Sequence, residues 1–351
     1  MSAADDRTAS AAGCNQVEPA GRDQLLGNYL RLLREFRRLD LQAFCDEHQR
    51  LFQEAVDSSD HRQVTQHYYH LMASLIATYY GEGWHFCPPE HKGQSRSEAN
   101  HGLYRRVARQ LKLAPGQSAL DVGSGVGGML RFVARYSEAR LTGITLGENE
   151  VEQGNRLAAK EGLSDRCQIV RGDSQDMPFA DATFDAAYAV YALKYYPNLD
   201  RVFGEVHRVL KPGARFVAYC LCKSDQYRAD NPIHARLLQD FEYSTAMPPL
   251  HTIGELIDSA AKHDLSCVAN EDLSNGKLTW YAYWVRNPVL PWLVSSRLVY
   301  GLVRMSEAVR ILPRGFARFN DTFLAGTMRH LIRGGRMGIL TGSALLTFEN
   351  G

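Results

Sequence analysis

The chain has 351 residues, room for one large domain or two moderate ones, and its 45% apolar, 10% aromatic and 23% charged residues are those of an ordinary globular protein. Forty basic residues face 39 acidic ones for a formal charge of +1, a balance that argues against a nucleic-acid-binding field. Seven cysteines, without zinc or disulfide-framework spacing, predict buried free thiols in a reducing compartment. No run reaches the ~20 apolar residues of a membrane-crossing helix, and 289–303 is broken by Pro291, Ser295, Ser296 and Arg297. Residues 1–20 are too small and polar for a signal peptide and are expected to be disordered.

In chain order, Leu25, Tyr29, Leu32, Leu33 and Phe36 share one face and predict a helix from Gln24 to about Asp57. A second helix, Gln63 to Tyr80, carries His67, Tyr68, Tyr69, His70, Tyr79 and Tyr80. Gly81-Glu82-Gly83 ends it, and Trp84-His85-Phe86-Cys87-Pro88-Pro89 reads as a loop. A third helix spans roughly Glu98 to Leu113. Strands then follow at 118–122, 140–145, 167–171, 184–190 and 215–221, with helices near 127–136, 149–161 and 199–210. This alternation predicts an α/β fold built on a parallel sheet. Helices from Pro232 to Tyr243 and from Thr252 flank the turn Met247-Pro248-Pro249. Leu265–Val268 and Leu340–Phe348 read as a closing strand pair. The helical insert between them, with helices at 298–312 and 317–333, is expected over one edge of the sheet.

The stretch that organises the rest is Leu120-Asp121-Val122-Gly123-Ser124-Gly125-Val126-Gly127-Gly128, a strand, a glycine turn and a helix start. Glycines let backbone approach a ligand closely, and a helix start offers free N–H groups to polar or anionic atoms. Dinucleotide-binding folds share such turns, but place an acid about 20 residues on, at the tip of the second strand. Here that strand ends Gly143-Ile144-Thr145-Leu146, and the acid, Asp121, precedes the glycines instead. Further on come Arg171-Gly172-Asp173-Ser174, Phe184-Asp185-Ala186-Ala187-Tyr188 and Leu210-Lys211-Pro212-Gly213.

These four motifs, in this order, resemble the signature set of class I methyltransferases, which implies a Rossmann-like sheet and S-adenosylmethionine as cofactor. The resemblance assigns Asp121, Gly123, Ser124, Gly125 and Gly127 to the methionine end of that molecule, Thr145 and Glu150 to its ribose, and Asp173 and Ser174 to its adenine.

The ends of the chain narrow the likeness. Tyr68-Tyr69, Tyr80-Gly81, Trp84-His85-Phe86 and Gly334-Gly335-Arg336-Met337-Gly338-Ile339-Leu340-Thr341 are similar to sterol methyltransferases over about residues 65 to 350. With 1–20 disordered, the chain then divides into a helical segment with an aromatic substrate loop at 21–113, a cofactor-binding core at 114–270 and, by the likeness, a family-specific C-terminal region at 271–351. Tyr68, Tyr80, Trp84 and Phe86 become candidate substrate contacts. Enzymes of the family that act at side-chain carbon 24 carry Glu-Ala-Thr-Cys-His-Ala-Pro after the fourth strand. This chain has Tyr191-Ala192-Leu193-Lys194-Tyr195-Tyr196-Pro197 there, and with Met247-Pro248-Pro249-Leu250-His251-Thr252 it resembles the nematode-type sterol 4-C-methyltransferases. The expected reaction is methylation at carbon 4 of a 3-keto sterol through an enolate. Tyr191 and Tyr195 are then candidate donors to the oxyanion, and His85 or His251 the candidate base. The alternatives are a carbon-24 or other lipid methyltransferase, or a sterol-binding protein without catalysis.

Trp280, Tyr281, Tyr283 and Trp284 either line the sterol pocket or pack the insert on the core. From Arg286 to Arg336 nine arginines face two acids, a net 9 − 2 = +7, among Leu290, Trp292, Leu293, Leu298 and Leu302. Residues 286–336 are thus either a basic, amphipathic, membrane-facing surface or a solvated helix face. The expected setting is cytoplasmic, peripheral on the endoplasmic reticulum, with a homo-oligomer left open.

Overall fold

The computed structural model describes residues 36–80, 85–274 and 278–351, without the side chains at 73, 74 and 76–80. The expected disorder of 1–20, the first part of the Gln24–Asp57 helix, and Trp84 lie outside the described residues, as does the side chain of Tyr80.

A seven-stranded sheet forms the centre: β1 (Ser118–Val122), β2 (Arg140–Thr145), β3 (Cys167–Arg171), β4 (Phe184–Val190), β5 (Leu210–Lys223), β6 (Leu265–Asp272) and β7 (Leu340–Asn350). Their order is β3-β2-β1-β4-β5-β7-β6. The first five run parallel, and β7 is antiparallel to both neighbours. The strand order reverses between β1 and β4, and that switch point is where sheets of this kind bind ligands. Period-two alternation divides the strands between two cores. Ala119, Ala186, Tyr188, Val217 and Tyr219 face one, and Leu120, Val122, Ala187, Ala189, Phe216 and Phe348 face the other.

The helices are α1 (Leu41–Ser58), α2 (Arg62–Tyr80), α3 (Arg96–Leu111), α4 (Gly128–Ser137), α5 (Glu148–Lys160), α6 (Leu199–Val209), α7 (Pro232–Ser244) and α8 (Ile253–Ala261). The insert supplies α9 (Ala282–Val285), α10 (Val289–Ser295), α11 (Arg297–Ala308), α12 (Phe316–Phe319) and α13 (Ala325–Arg336). Local capping explains several starts. Ser95 with Glu98, and Thr252 with Glu255, form capping boxes, and Asn231 caps α7 ahead of Pro232 at its first turn.

Three expectations need correction. The single helix to Asp57 does not run through Arg37–Asp40: Asp40 accepts from the Ala43 N–H at 2.9 Å and starts a new helix at Leu41. The helix expected at 317–333 is split by a π-turn at Asn320–Leu324, where Gly326 admits the Asp321 carbonyl; a Cβ there would lie 2.0 Å from that oxygen. Nor does the insert sit along a lateral edge. It returns at Leu340, paired with Lys223 at the carboxyl end of β5, and packs on α7 and on Phe86. Trp280 and Trp284 are 3% and 8% exposed and meet the Phe86 ring at 5.8 and 4.5 Å, so these two members of the aromatic stripe pack the insert on the core. Phe319 and Phe323 enter a third core with Phe36, Leu41 and Tyr68, joining the insert to the N-terminal helices.

Candidate active site

The turn after β1 takes its shape from three glycines in the left-handed region, with φ of 77° at Gly123, 53° at Gly125 and 71° at Gly127. Close approach adds a second constraint. A Cβ on Gly123 would stand 2.5 Å from the Ala192 Cβ, and one on Gly127 would stand 2.7 Å from Ile169 Cδ1. The Gly123 and Ser124 N–H groups both donate to the Ile144 carbonyl at 3.0 Å. Beneath the turn, Arg131, 2% exposed, donates to the Val126 carbonyl at 2.7 Å and to Glu161 at 3.1 Å. Sequence reasoning missed this brace; an arginine on the apolar face of an amphipathic helix was its signal.

Asp121 is 4% exposed, and the hydroxyl of its sheet neighbour Tyr188 donates to it at 2.9 Å. Burial pushes its carboxyl up to about 7, against the Tyr188 hydrogen bond, which favours the charged form. Among the described residues no cation pairs with it. Thr145 ends β2 and donates its hydroxyl to Glu150 at 2.5 Å, so Thr145 orients Glu150 and leaves the second carboxylate oxygen for a ligand hydroxyl. That oxygen lies 3.9 Å from a Cβ position on Gly125. Burial raises the Glu150 carboxyl above its ordinary value, opposed by Thr145. Asp173 accepts from the Gln175 N–H at 2.9 Å in the turn after β3, and Ser174 beside it is buried. Tyr196, which sequence reasoning did not single out, reaches both sides of this cleft: its hydroxyl is 3.8 Å from a Cβ position on Gly123 and interacts with Ser174.

The segment after β4 closes the site. Tyr191 has φ of 60°, an uncommon conformation for a bulky residue, and three hydrogen bonds hold it. Its N–H donates to the Tyr219 carbonyl at 2.8 Å, and its hydroxyl donates to the carbonyls of Gly342 and, at 3.3 Å, Phe86. A hydroxyl has one proton, and here backbone carbonyls use it. This contradicts the expectation that Tyr191 donates to an oxyanion; it anchors the segment instead. Tyr195 has the Tyr69 hydroxyl as partner at 2.6 Å, a pair with two protons of which one stays in the pair. Between them Lys194, 6% exposed, holds its Nζ 4.9 Å from the Tyr191 ring centroid and 5.0 Å from that of Tyr195.

The other expected contacts are dispersed. Tyr68 sits in the N-terminal core, edge-on to Tyr69, so it is the next residue of the same helix that meets Tyr195. Phe86 is walled in by Tyr191, Trp280 and Trp284. His85 packs against Tyr104 and Tyr191 at centroid distances of 5.7 and 6.0 Å. Nε2 of His251 is 2.8 Å from the Tyr196 carbonyl and so carries a proton that it donates there, which places this histidine as a tie between loops. Glu242 is tied in the same way: it accepts from the Leu250 N–H at 2.8 Å, and burial pushes its carboxyl up to about 7.

Strand order, glycine turn and the acids at the tips of β1 and β3 together define a class I S-adenosylmethionine-dependent methyltransferase. The residues fit that cofactor: Asp121 lacks a cation, the turn admits a ligand against backbone, and Glu150 keeps an open acceptor. Among solved structures, the [4+2]-cyclase SpnF shares the fold at a TM-score of 0.62 and 24% identity over 83% of this chain and 96% of its own. The geranyl diphosphate C-methyltransferase of Streptomyces coelicolor shares it at 0.59 and 18%, over 79% and 92%. The methyltransferase-domain family matches residues 120–218. The sterol 4-C-methyltransferase strm-1 of Caenorhabditis elegans is 45% identical over 92% of this chain and 97% of its own length. The 24-methylenesterol C-methyltransferase 2 of Oryza sativa is 36% identical over 78% and 74%, and the cycloartenol-C-24-methyltransferase of Arabidopsis thaliana 31% over 81% and 85%. The chain belongs to the sterol C-methyltransferase family, and its methyl donor is S-adenosylmethionine.

Proposed function

We propose that the enzyme methylates carbon 4 of the A ring of a sterol bearing a ketone at carbon 3, through an enolate. The sulfonium of the donor supplies an electrophilic methyl, so the acceptor carbon must be a nucleophile. Carbon 4 of a saturated ring becomes one only when a proton beside a carbonyl is removed. The observation that carries the reading is the Tyr69–Tyr195 pair: after its internal hydrogen bond it keeps one O–H for an oxygen that gains charge. Alkene methylation at carbon 24 instead leaves a cation, which calls for a carboxylate and aromatic faces. In the segment after β4, Tyr191 stands where the carbon-24 enzymes have glutamate, and Tyr195 where they have histidine. The name of the C. elegans relative supports the same regiochemistry.

The substrate is proposed to arrive from a lipid surface. Among the described residues, nine of the fifteen exposed large apolar side chains fall between Val289 and Ile311, among them Trp292, Leu298, Leu302 and Met305. Neither α10 nor α11 buries a residue, and Arg297, Arg304 and Arg310 lie exposed among them.

The test is incubation with methyl-labelled donor and 3-keto, 3-hydroxy and Δ24 sterols, with the product mapped by mass spectrometry. Label at carbon 4 of the 3-keto sterol is expected; label on the side chain overturns the regiochemistry.

A further inference from the structure

We propose that Lys194 is the general base that removes the carbon-4 proton, a role that rests on the enolate reading above. Its amine sits between the Tyr191 and Tyr195 rings, beside the hydroxyl pair that the enolate reading uses. The 3-10 turn Leu193–Tyr195 carries it out of β4 at the switch point, next to Ala192, whose side chain touches the cofactor turn at Gly123. The same turn carries Tyr195, so the base and the hydroxyl donor for the ketone oxygen sit on adjacent residues. Tyr191, fixed by its three hydrogen bonds, holds the other side.

The groups facing the amine are Tyr191 and Tyr195 from its own segment, Tyr69 of α2 behind Tyr195, His85 behind Tyr191, and Cys220 of β5. No carboxylate among the described residues pairs with it. Burial pushes the ammonium down to about 7, so a large fraction is a neutral amine at physiological pH. The two ring faces stabilise the ammonium once it has formed. With its Nε2 proton on the Tyr196 carbonyl, His251 keeps only Nδ1 as a basic nitrogen, and His251→Ala is expected to retain the exchange described below.

The step balances without a further reactant. The carbon-4 C–H bond breaks, its proton passes to Nζ, and the electron pair becomes the enolate, with charge on the oxygen faced by Tyr195 and Tyr69. Carbon 4 then bonds to the methyl as the methyl–sulfur bond breaks and its pair leaves on sulfur. The ketone is restored, and the ammonium gives its proton to solvent. The cation formed on Lys194 favours the enolate and opposes a side-chain carbocation, so this residue also helps select the reaction.

The test separates the base from the reaction. With S-adenosylhomocysteine bound and no methyl transfer, the wild-type enzyme in D2O is expected to exchange the carbon-4 protons of a 3-keto sterol. Lys194→Ala and Lys194→Met are expected to lose exchange and methylation together, by about 10²–10⁴-fold, with donor affinity kept. Lys194→Arg keeps the charge without a usable base and is expected to be equally inactive. Ethylamine is expected to restore exchange to Lys194→Ala, an effect that loss of a packing residue would not give. If the wild type methylates carbon 4 and Lys194→Met or Lys194→Arg exchanges at its rate, the base is elsewhere and the enolate reading survives. A wild type that neither exchanges nor methylates at carbon 4 overturns both.

Discussion

Burial holds the Asp121 carboxyl near 7, well above the ordinary value of 3.8, and we propose that it meets the donor's ammonium. The sign of the consequence follows from proton counting. Between about pH 4 and 7 the folded enzyme without donor keeps a proton that the unfolded chain has lost, so this residue's contribution to stability falls as pH rises through that window. The donor's ammonium reverses the balance by favouring the carboxylate. Donor binding below pH 7 is therefore expected to release about one proton and to tighten as pH rises toward 7, measured by calorimetry in buffers of different ionisation enthalpy. Asp121→Asn is expected to flatten that dependence and to weaken binding by about 1.5–3 kcal/mol, the range of a hydrogen bond to a charged group. An unchanged affinity would remove Asp121 from the ammonium site.

The segment from Tyr191 to Tyr196 divides its labour between neighbouring tyrosines, and the two respond differently to loss of a hydroxyl. Tyr191→Phe leaves the Gly342 carbonyl without its donor and loosens a strained backbone, so a loss of about 1–3 kcal/mol of stability is expected in thermal unfolding. Tyr195→Phe removes a hydroxyl whose partner is another hydroxyl, so no buried carbonyl loses its donor. It is expected to leave the melting temperature nearly unchanged and to cut kcat by about 10²-fold or more. If the two variants exchange these behaviours, the assignment of anchor and donor is reversed. The sequence made this segment visible as a candidate but not its division of roles. Helix α2 offers rings on every side, and Tyr68 differs from Tyr69 by only about 100° of rotation, which an all-aromatic face does not resolve. Lys194 was visible as a lone charge within Tyr188–Tyr196, yet its burial depends on where two long-range elements, α2 and β5, pass it.

For the whole molecule, the parallel strands were legible because each is a short apolar run closed by a turn signal, and β1 to β4 stand where the pattern places them. The insert was less legible. Helices α10 and α11 bury no residue, and the placement of the insert over the carboxyl ends of the strands comes from Phe86, Trp280 and Trp284, residues far apart in the chain. That placement sets the exposed apolar stretch of α10 and α11 beside the elements that enclose the site. Vesicles containing anionic lipid are expected to co-sediment the enzyme, and Trp292→Ala with Leu298→Asp to abolish this without altering donor affinity. Failure of the unaltered enzyme to bind even strongly anionic vesicles would contradict the membrane route. No helix among the described residues is long and apolar enough to cross a membrane.

The carbon that receives the methyl is open to one direct measurement. A 3-keto sterol carrying two deuteria at carbon 4 is incubated with unlabelled donor in ordinary water, and the product is fragmented by mass spectrometry. The account predicts a new methyl on carbon 4, at least one of the two deuteria lost from that carbon, and an unaltered side chain. A product that keeps both deuteria and carries its methyl on the side chain would contradict it.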